Sequence, residues 1–186
     1  SKKKDHLEKA FQEKVVQELQ RYKWEAPEEL NGNTHLVTVQ DLVNNWRKEL
    51  NRLNADQLEN VPLTDNEFAQ VMQKVNQIKN SYEAAKILAM EDSKGKIDGI
   101  YRDPNPDVTR KQVTLTIFKK AEVAGGDSSY KIAREVTSPK NGSKDENRFD
   151  LILLINGLPL INIEQKRSDK SLDYAFGQFE RYYKAG

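Results

Sequence analysis

The sequence predicts an α/β protein, a mixed sheet flanked by helices with a helical region ahead of it. Three observations predict this. Residues 1–93 carry three stretches whose apolar side chains recur every three or four positions, the spacing of a helix with one buried face. From residue 94 the period changes: Val113, Leu115 and Ile117 alternate with Thr114 and Thr116, as in a half-buried strand. Then Leu151–Ile155 and Leu158–Ile163, both nearly all aliphatic, flank Asn156-Gly157, the strongest short hairpin signal a sequence carries. Residues 1–186 read as a single domain, mainly helical over 1–93 and sheet-bearing over 94–186.

In chain order, Leu7, Phe11, Val15, Leu19 and Tyr22 mark the first helix, which Pro27 ends at the latest. Residues 27–37 are irregular, with a turn at Asn31-Gly32-Asn33. Thr38-x-x-Asp41 is a near capping box before Leu42, Val43, Trp46, Leu50 and Leu53; Trp46 reads as core. Thr64-x-x-Glu67 is a full capping box, and Phe68, Val71, Met72, Val75, Ile78, Tyr82 and Ala85 carry a long third helix. Gly95 and Gly99 break helical periodicity, and Asp103-Pro-Asn-Pro-Asp107 is a rigid turn. Tyr130–Thr137 is a strand candidate, and Ser138–Asn147 is polar and rich in turn formers. After the hairpin, Ser171 caps a helix with Leu172, Phe176, Phe179 and Tyr183 on its apolar stripe. His6 and His35 have no ligand-spaced partner and read as surface residues.

The hairpin contains a conflict. Its apolar strands suit the centre of a covered sheet, yet Asp150 opens it and Glu164 and Lys166 close it. Ionised groups beside a dry sheet are costly unless paired or bound to a metal. Glu164 and Lys166 share a face, with Ile161 and Ile163 on the other. A plain two-residue turn would pair Asp150 with Ile163 and separate the two acids. An odd-length loop or a bulge would pair Asp150 with Glu164. If the three residues act together, one of those two devices is expected.

Asp150, thirteen residues, then Glu164-x-Lys166 resembles the PD-(D/E)xK nuclease signature, with Phe149 where the motif name has proline. The wider wording, RFDLILLINGLPLINIEQKR followed by Gln178-x-x-x-Tyr182, resembles the N-terminal nuclease domain of the restriction (motor) subunit of type I restriction-modification enzymes. The close likeness runs from about Tyr130 to Tyr183 and is weaker upstream. Glu-x-Lys alone says little in a chain that is 32% charged; Asp92-x-Lys94 fits the same short pattern within a polar stretch.

The resemblance implies a restriction-endonuclease-like fold and Mg²⁺-dependent hydrolysis of double-stranded DNA. Asp150 and Glu164 are hard oxygen donors suited to Mg²⁺, with Mn²⁺ as a substitute, and the backbone carbonyl of Gln165 can add a ligand. Lys166 can reach the attacking water or the transition-state charge. Nucleases of this class often add an acid from the first helix, for which Glu8 is a better match than Glu13. Gln178 and Tyr182, four apart on one helix face, are implied in DNA contact or positioning. Lys140, Lys144 and Arg148 could meet phosphate. The resemblance also implies a longer subunit with an ATP-driven translocase, joined to methylation and specificity subunits. No G-x-x-x-x-G-K-[ST] phosphate loop occurs in these residues.

Composition narrows the classes. Thirty basic and 29 acidic residues leave a formal net charge of +1, so DNA contact must come from a local patch. Cysteine is absent, which excludes disulfides and thiolate metal sites and suits a reducing, cytoplasmic setting. No apolar run approaches a membrane span, and the basic start SKKKDHLEK lacks a hydrophobic stretch behind it. The chain is expected to be a fragment of a longer polypeptide. Two rival readings stay open: a RecB-like repair nuclease of the same fold, and a DNA-binding or subunit-docking module with a degenerate site.

Overall fold

The computed structural model describes residues 1–76, 95–118, 128–139 and 146–163. They fall into two compact units, one holding Ser1–Val43 with the described residues from Ser129 on, the other holding Asn44–Ser128.

The first unit is built on a mixed sheet. Its strands are β1 (Val37–Thr38), β4 (Tyr130–Pro139), β5 (Glu146–Ile155) and β6 (Leu158–Ile163), in the order β1-β4-β5-β6. The β1–β4 pair is parallel; β4–β5 and β5–β6 are antiparallel. Helix α1 (Lys2–Arg21) packs on one face, where Val16 meets Ile132, Leu151 and Leu153, with Val15, Leu19, Trp24 and Ile163 around them. Ala133, Ile152 and Leu154 alternate with these residues and are buried too. Strand β5 is therefore covered on both faces along Leu151–Leu154, as its composition requires.

The buried stripe of α1 differs from the one its periodicity suggested. Gln12 and Val16 are buried, whereas Leu7, Phe11 and Tyr22 are exposed. Between α1 and β1 the chain runs along the outer edge of β4. Glu25 bridges Lys131, Asn31 bridges Arg134, and β1 follows with Val37 beside Val136. A short 3-10 turn at Glu28–Leu30 interrupts this edge. The segment supplies β4 with hydrogen bonds in pieces: Glu25 N to Tyr130 O (2.8 Å), Ile132 N to Glu25 O (2.8 Å) and Gly32 N to Arg134 O (2.7 Å).

Helix α2 (Val39–Leu53) starts at the expected cap, where Thr38 N donates to Asp41 Oδ2 and Asp41 N to Thr38 Oγ1. The boundary between the units falls within it. In the second unit, α3 (Asp65–Asn76) opens on the reciprocal Thr64–Glu67 box. Trp46 is buried and meets the Phe68 ring edge-on, 6.1 Å between centroids. A two-stranded ribbon of β2 (Lys96–Tyr101) and β3 (Gln112–Thr116) completes the unit. Side-chain amides finish its hydrogen bonding. Gln70 both donates to Tyr101 O and accepts from Tyr101 N, each at 2.8 Å. Asn54 does the same at Thr116, at 2.9 and 2.7 Å.

Candidate active site

Asp150 lies on β5 immediately ahead of the buried aliphatic run and is half-buried. The pairs Arg134–Leu151 and Val136–Phe149 bracket it, so the residue across the ladder is Glu135. Glu135 has a φ of 50°, in the left-handed region that residues with side chains rarely occupy. The register is the same on both sides of it, so the strand is twisted locally and no residue is inserted.

In a regular strand Arg134 and Glu135 would point to opposite faces. Here both reach α1. Arg134 Nη1 donates to Glu13 Oε2 (2.9 Å), and Gln12 Nε2 donates to Glu135 Oε1 (2.7 Å). Arg148, two residues before Asp150 and so on the same side of β5, brings its Nε within 3.7 Å of Glu135 Oε2. The outer-edge segment closes over the same point. A Cβ on Gly32 would lie 2.2 Å from the Glu135 carbonyl oxygen, so only glycine fits where its N–H meets Arg134.

The β5–β6 connection combines two devices. The turn is the two-residue type, Asn156-Gly157 with φ of 51° and 79° and Ile155 paired with Leu158, which matches a twisted hairpin. Asn156 is anchored at both ends: its N–H donates to Ser129 O, and its Oδ1 accepts from Ser129 N, each at 2.9 Å. Farther along, Leu154 pairs with Pro159 but Leu153 pairs with Ile161. Leu160 is the additional residue of a bulge. Beyond it the pairs are Ile152–Asn162 and Leu151–Ile163. The odd-residue device anticipated from the sequence is present, as a bulge behind an ordinary turn.

Of the sequence-predicted site residues, Asp150, Arg148, Glu8 and Glu13 are described. Asp150 and Arg148 share one side of β5. Glu8 is half-buried, one turn ahead of Gln12 on the same face of α1. Glu13 is engaged by Arg134. Glu164, Gln165, Lys166, Lys140, Lys144, Gln178 and Tyr182 lie outside the described residues. Among the described residues, no three Asp, Glu, His or Cys side chains form a group that could hold a metal. Gln12, Arg134 and Glu135 were not anticipated. The available signal was an Arg-Glu pair set inside the otherwise apolar strand Ile132–Val136, facing a strand with Asp150 at the head of its apolar run.

Comparison with known proteins places these features in a family. The family described as type I restriction enzyme R protein N terminus matches residues 5–186. The endonuclease subunit of a type I restriction enzyme from Staphylococcus aureus is 31% identical over 151 residues, which cover 80% of this chain and 14% of that subunit. A type I endonuclease subunit from Staphylococcus saprophyticus is 31% identical over 169 residues, covering 86% and 16%. The EcoprrI endonuclease subunit of Escherichia coli is 31% identical over 90 residues, covering 48% and 22%. The chain thus spans 14–16% of the length of the staphylococcal relatives.

Proposed function

Because the chain belongs to the type I restriction enzyme R protein N-terminal family, we propose that it is the nuclease part of a restriction subunit and hydrolyses phosphodiester bonds of double-stranded DNA with Mg²⁺. Family membership favours this over a RecB-like repair nuclease.

The observation that carries the reading is the register of the hairpin. Were the pairs Leu153–Ile161, Ile152–Asn162 and Leu151–Ile163 to continue one step, into residues outside the described ones, Asp150 would stand against Glu164. Opposed residues of an antiparallel pair share a face. Without the bulge Asp150 would meet Ile163, and the two acids would stand on opposite faces.

The oxygen donors suit a hard divalent cation. Asp150 offers a carboxylate at the head of β5. Asp150, Glu164 and the Gln165 carbonyl would hold the ion, with Glu8 as the candidate from α1. Bound there, Mg²⁺ would polarise the phosphate and acidify a water. Lys166 would offset the charge of the acids and stabilise the developing charge on phosphate. Arg148 and Lys144 would contact phosphate oxygens, while Gln178 and Tyr182 would orient the DNA. The whole polypeptide would add an ATP-driven translocase and act in the cytoplasm with methylation and specificity subunits.

Soaking crystals in Mn²⁺ and mapping its anomalous scattering tests the site. Density between Asp150 and Glu164 is expected. Lys166 filling that space, with no density at millimolar Mn²⁺, would overturn the reading and leave a docking module.

A further inference from the structure

We propose that Glu135 is a positioning residue for the Asp150 site, one that holds Arg148 beside Asp150 as a phosphate-binding cation and ties both to α1. The proposal deepens the nuclease reading and rests on it.

Three observations converge on Glu135. Its backbone is left-handed at φ 50°, a conformation that persists only where the surroundings enforce it and that clusters at functional sites. The enforcement comes from separate elements: Gly32 seats its N–H on Arg134 O at 2.7 Å with no room for a Cβ, and Gln12 of α1 donates to Glu135 Oε1 at 2.7 Å. The conformation also lets Arg134 and Glu135 grip Glu13 and Gln12, two consecutive residues of one helix.

The outcome is a carboxylate opposite Asp150. That carboxylate meets Arg148: Arg148 Nε lies 3.7 Å from Glu135 Oε2, and Arg148 precedes Asp150 by two residues on β5. Arg148 is otherwise a long, largely exposed side chain, 66% accessible against 16% for Glu135, with many rotamers open to it. The anchored Glu135 carboxylate restricts those rotamers to ones that keep the guanidinium near Asp150. A guanidinium held there matches the bidentate geometry of a phosphate. Glu135 itself touches no substrate in this scheme.

The test uses the full-length protein that carries this chain, in its natural complex, cutting supercoiled plasmid over a series of Mg²⁺ concentrations. The variants are Glu135→Gly, Arg148→Gln and the two combined, with Asp150→Asn as the inactive reference. Glycine takes a φ of 50° without strain, which offsets the loss of the Gln12 hydrogen bond, so Glu135→Gly is expected to stay folded with a melting temperature near or somewhat below that of wild type. Its cleavage is expected to fall about tenfold or more, the range for a lost outer contact to a site residue. Arg148→Gln should fall similarly, and the double variant no further than the worse single. A purely structural pair would couple too, but its variants would lose melting temperature in step with rate, whereas a positioning role lowers the rate of variants that remain folded.

Wild-type cleavage by Glu135→Gly, with Asp150→Asn inactive, would overturn the proposal while sparing the nuclease reading. So would losses that multiply in the double variant. Should Glu135→Gly misfold, Glu135→Gln decides: it keeps an acceptor for Gln12 and removes the charge facing Arg148, so a reduced rate supports the proposal and an unchanged rate sinks it. Absence of Mg²⁺-dependent cleavage by the wild-type protein would sink the nuclease reading and this proposal with it.

Discussion

Arg102 and Glu67 meet inside the second unit with side chains only 2% and 1% accessible, Nε to Oε2 at 2.8 Å. Arg102 also donates to the carbonyls of Leu58 and Val61, and Glu67 accepts from the backbone N–H groups of Thr64 and Asp103. The pair joins the start of α3 to the end of β2 and to the 58–61 turn. Such a pair is tolerated because its hydrogen bonds are satisfied, and removing one partner strands the other charge. Arg102→Met is expected to destabilise the unit by about 3–5 kcal/mol, read by urea unfolding. A loss below about 1 kcal/mol, the worth of an exposed pair, would show that the pair is solvated.

An acid-side change is expected at Glu59. The Thr109 hydroxyl, then the Thr109 backbone N–H, hold its carboxyl below the ordinary value of 4.5. A carboxylate depressed in the folded state stabilises the fold above its unfolded pKa, and this is lost as pH falls through the folded value. Thr109→Val removes the leading cause. The Glu59 titration midpoint, followed by carboxyl NMR, should move up toward 4.5. The stability gap between wild type and variant should be present at pH 6 and close at low pH. A midpoint that does not move would refute the hydroxyl's role.

The parts of the fold visible in the sequence are those fixed by local chemistry. Both capping boxes and the Asn156-Gly157 turn follow from contacts within a few residues, and the burial of Trp46 from the apolar period of its own helix. β2 was not visible because its alternation is broken: a bulge between Ile97 and Ile100, helped by Gly99 at φ 70°, puts two apolar residues three apart on one buried face. Gly99 therefore reads as a helix breaker when it is a strand irregularity. The α1 stripe was misjudged because Gln12 is buried by Glu135, 123 residues away, and no periodicity encodes that. At the site, Asp150 stood out as a charge at the head of an apolar strand. Glu135 did not, because its importance lies in a left-handed backbone and in contacts from three segments.

The hairpin turn offers a test of its own. Asn156 is 1% accessible, sits at φ 51°, and is tied to Ser129 through both its backbone and its side chain. Asn156→Ala loses the side-chain acceptor and strains the left-handed backbone. The combined cost is expected to be about 2 kcal/mol by denaturant unfolding. Asn156→Gly should cost less, since it loses the same side chain but relieves the backbone. Equal costs would show that the backbone conformation contributes nothing.

Gly32 makes a sharper prediction. Its added Cβ would approach Glu135 O to 2.2 Å and Arg134 O to 2.6 Å, both backbone atoms of a paired strand that cannot swing aside. Gly32→Ala is expected to cost about 1–3 kcal/mol and to speed hydrogen exchange at Glu25, Ile132 and Gly32, whose amides stitch the outer segment to β4. Unchanged protection at all three would mean that the edge closes without the close approach.

The nuclease reading stands on Asp150 and Lys166 acting in the reaction and not merely in the fold. Asp150 is half-buried at the head of β5, beside a core formed by Leu151, Leu153 and Ile132, so Asp150→Asn keeps its volume and should keep the melting temperature. Its Mg²⁺-dependent cleavage of plasmid by the full-length protein should fall at least about 100-fold, the scale of losing one transition-state contact. Lys166→Ala should fall by about 100- to 1,000-fold for the same reason. DNA binding measured without Mg²⁺ should be unchanged in Asp150→Asn, because a metal ligand carries no phosphate contact of its own. A docking module differs in the cleavage: it predicts none by the wild type, with DNA affinity indifferent to Mg²⁺ and to both substitutions. Plasmid nicking and metal-free binding on the same three proteins therefore separate catalysis from attachment, since only a metal-dependent nuclease loses the first while keeping the second.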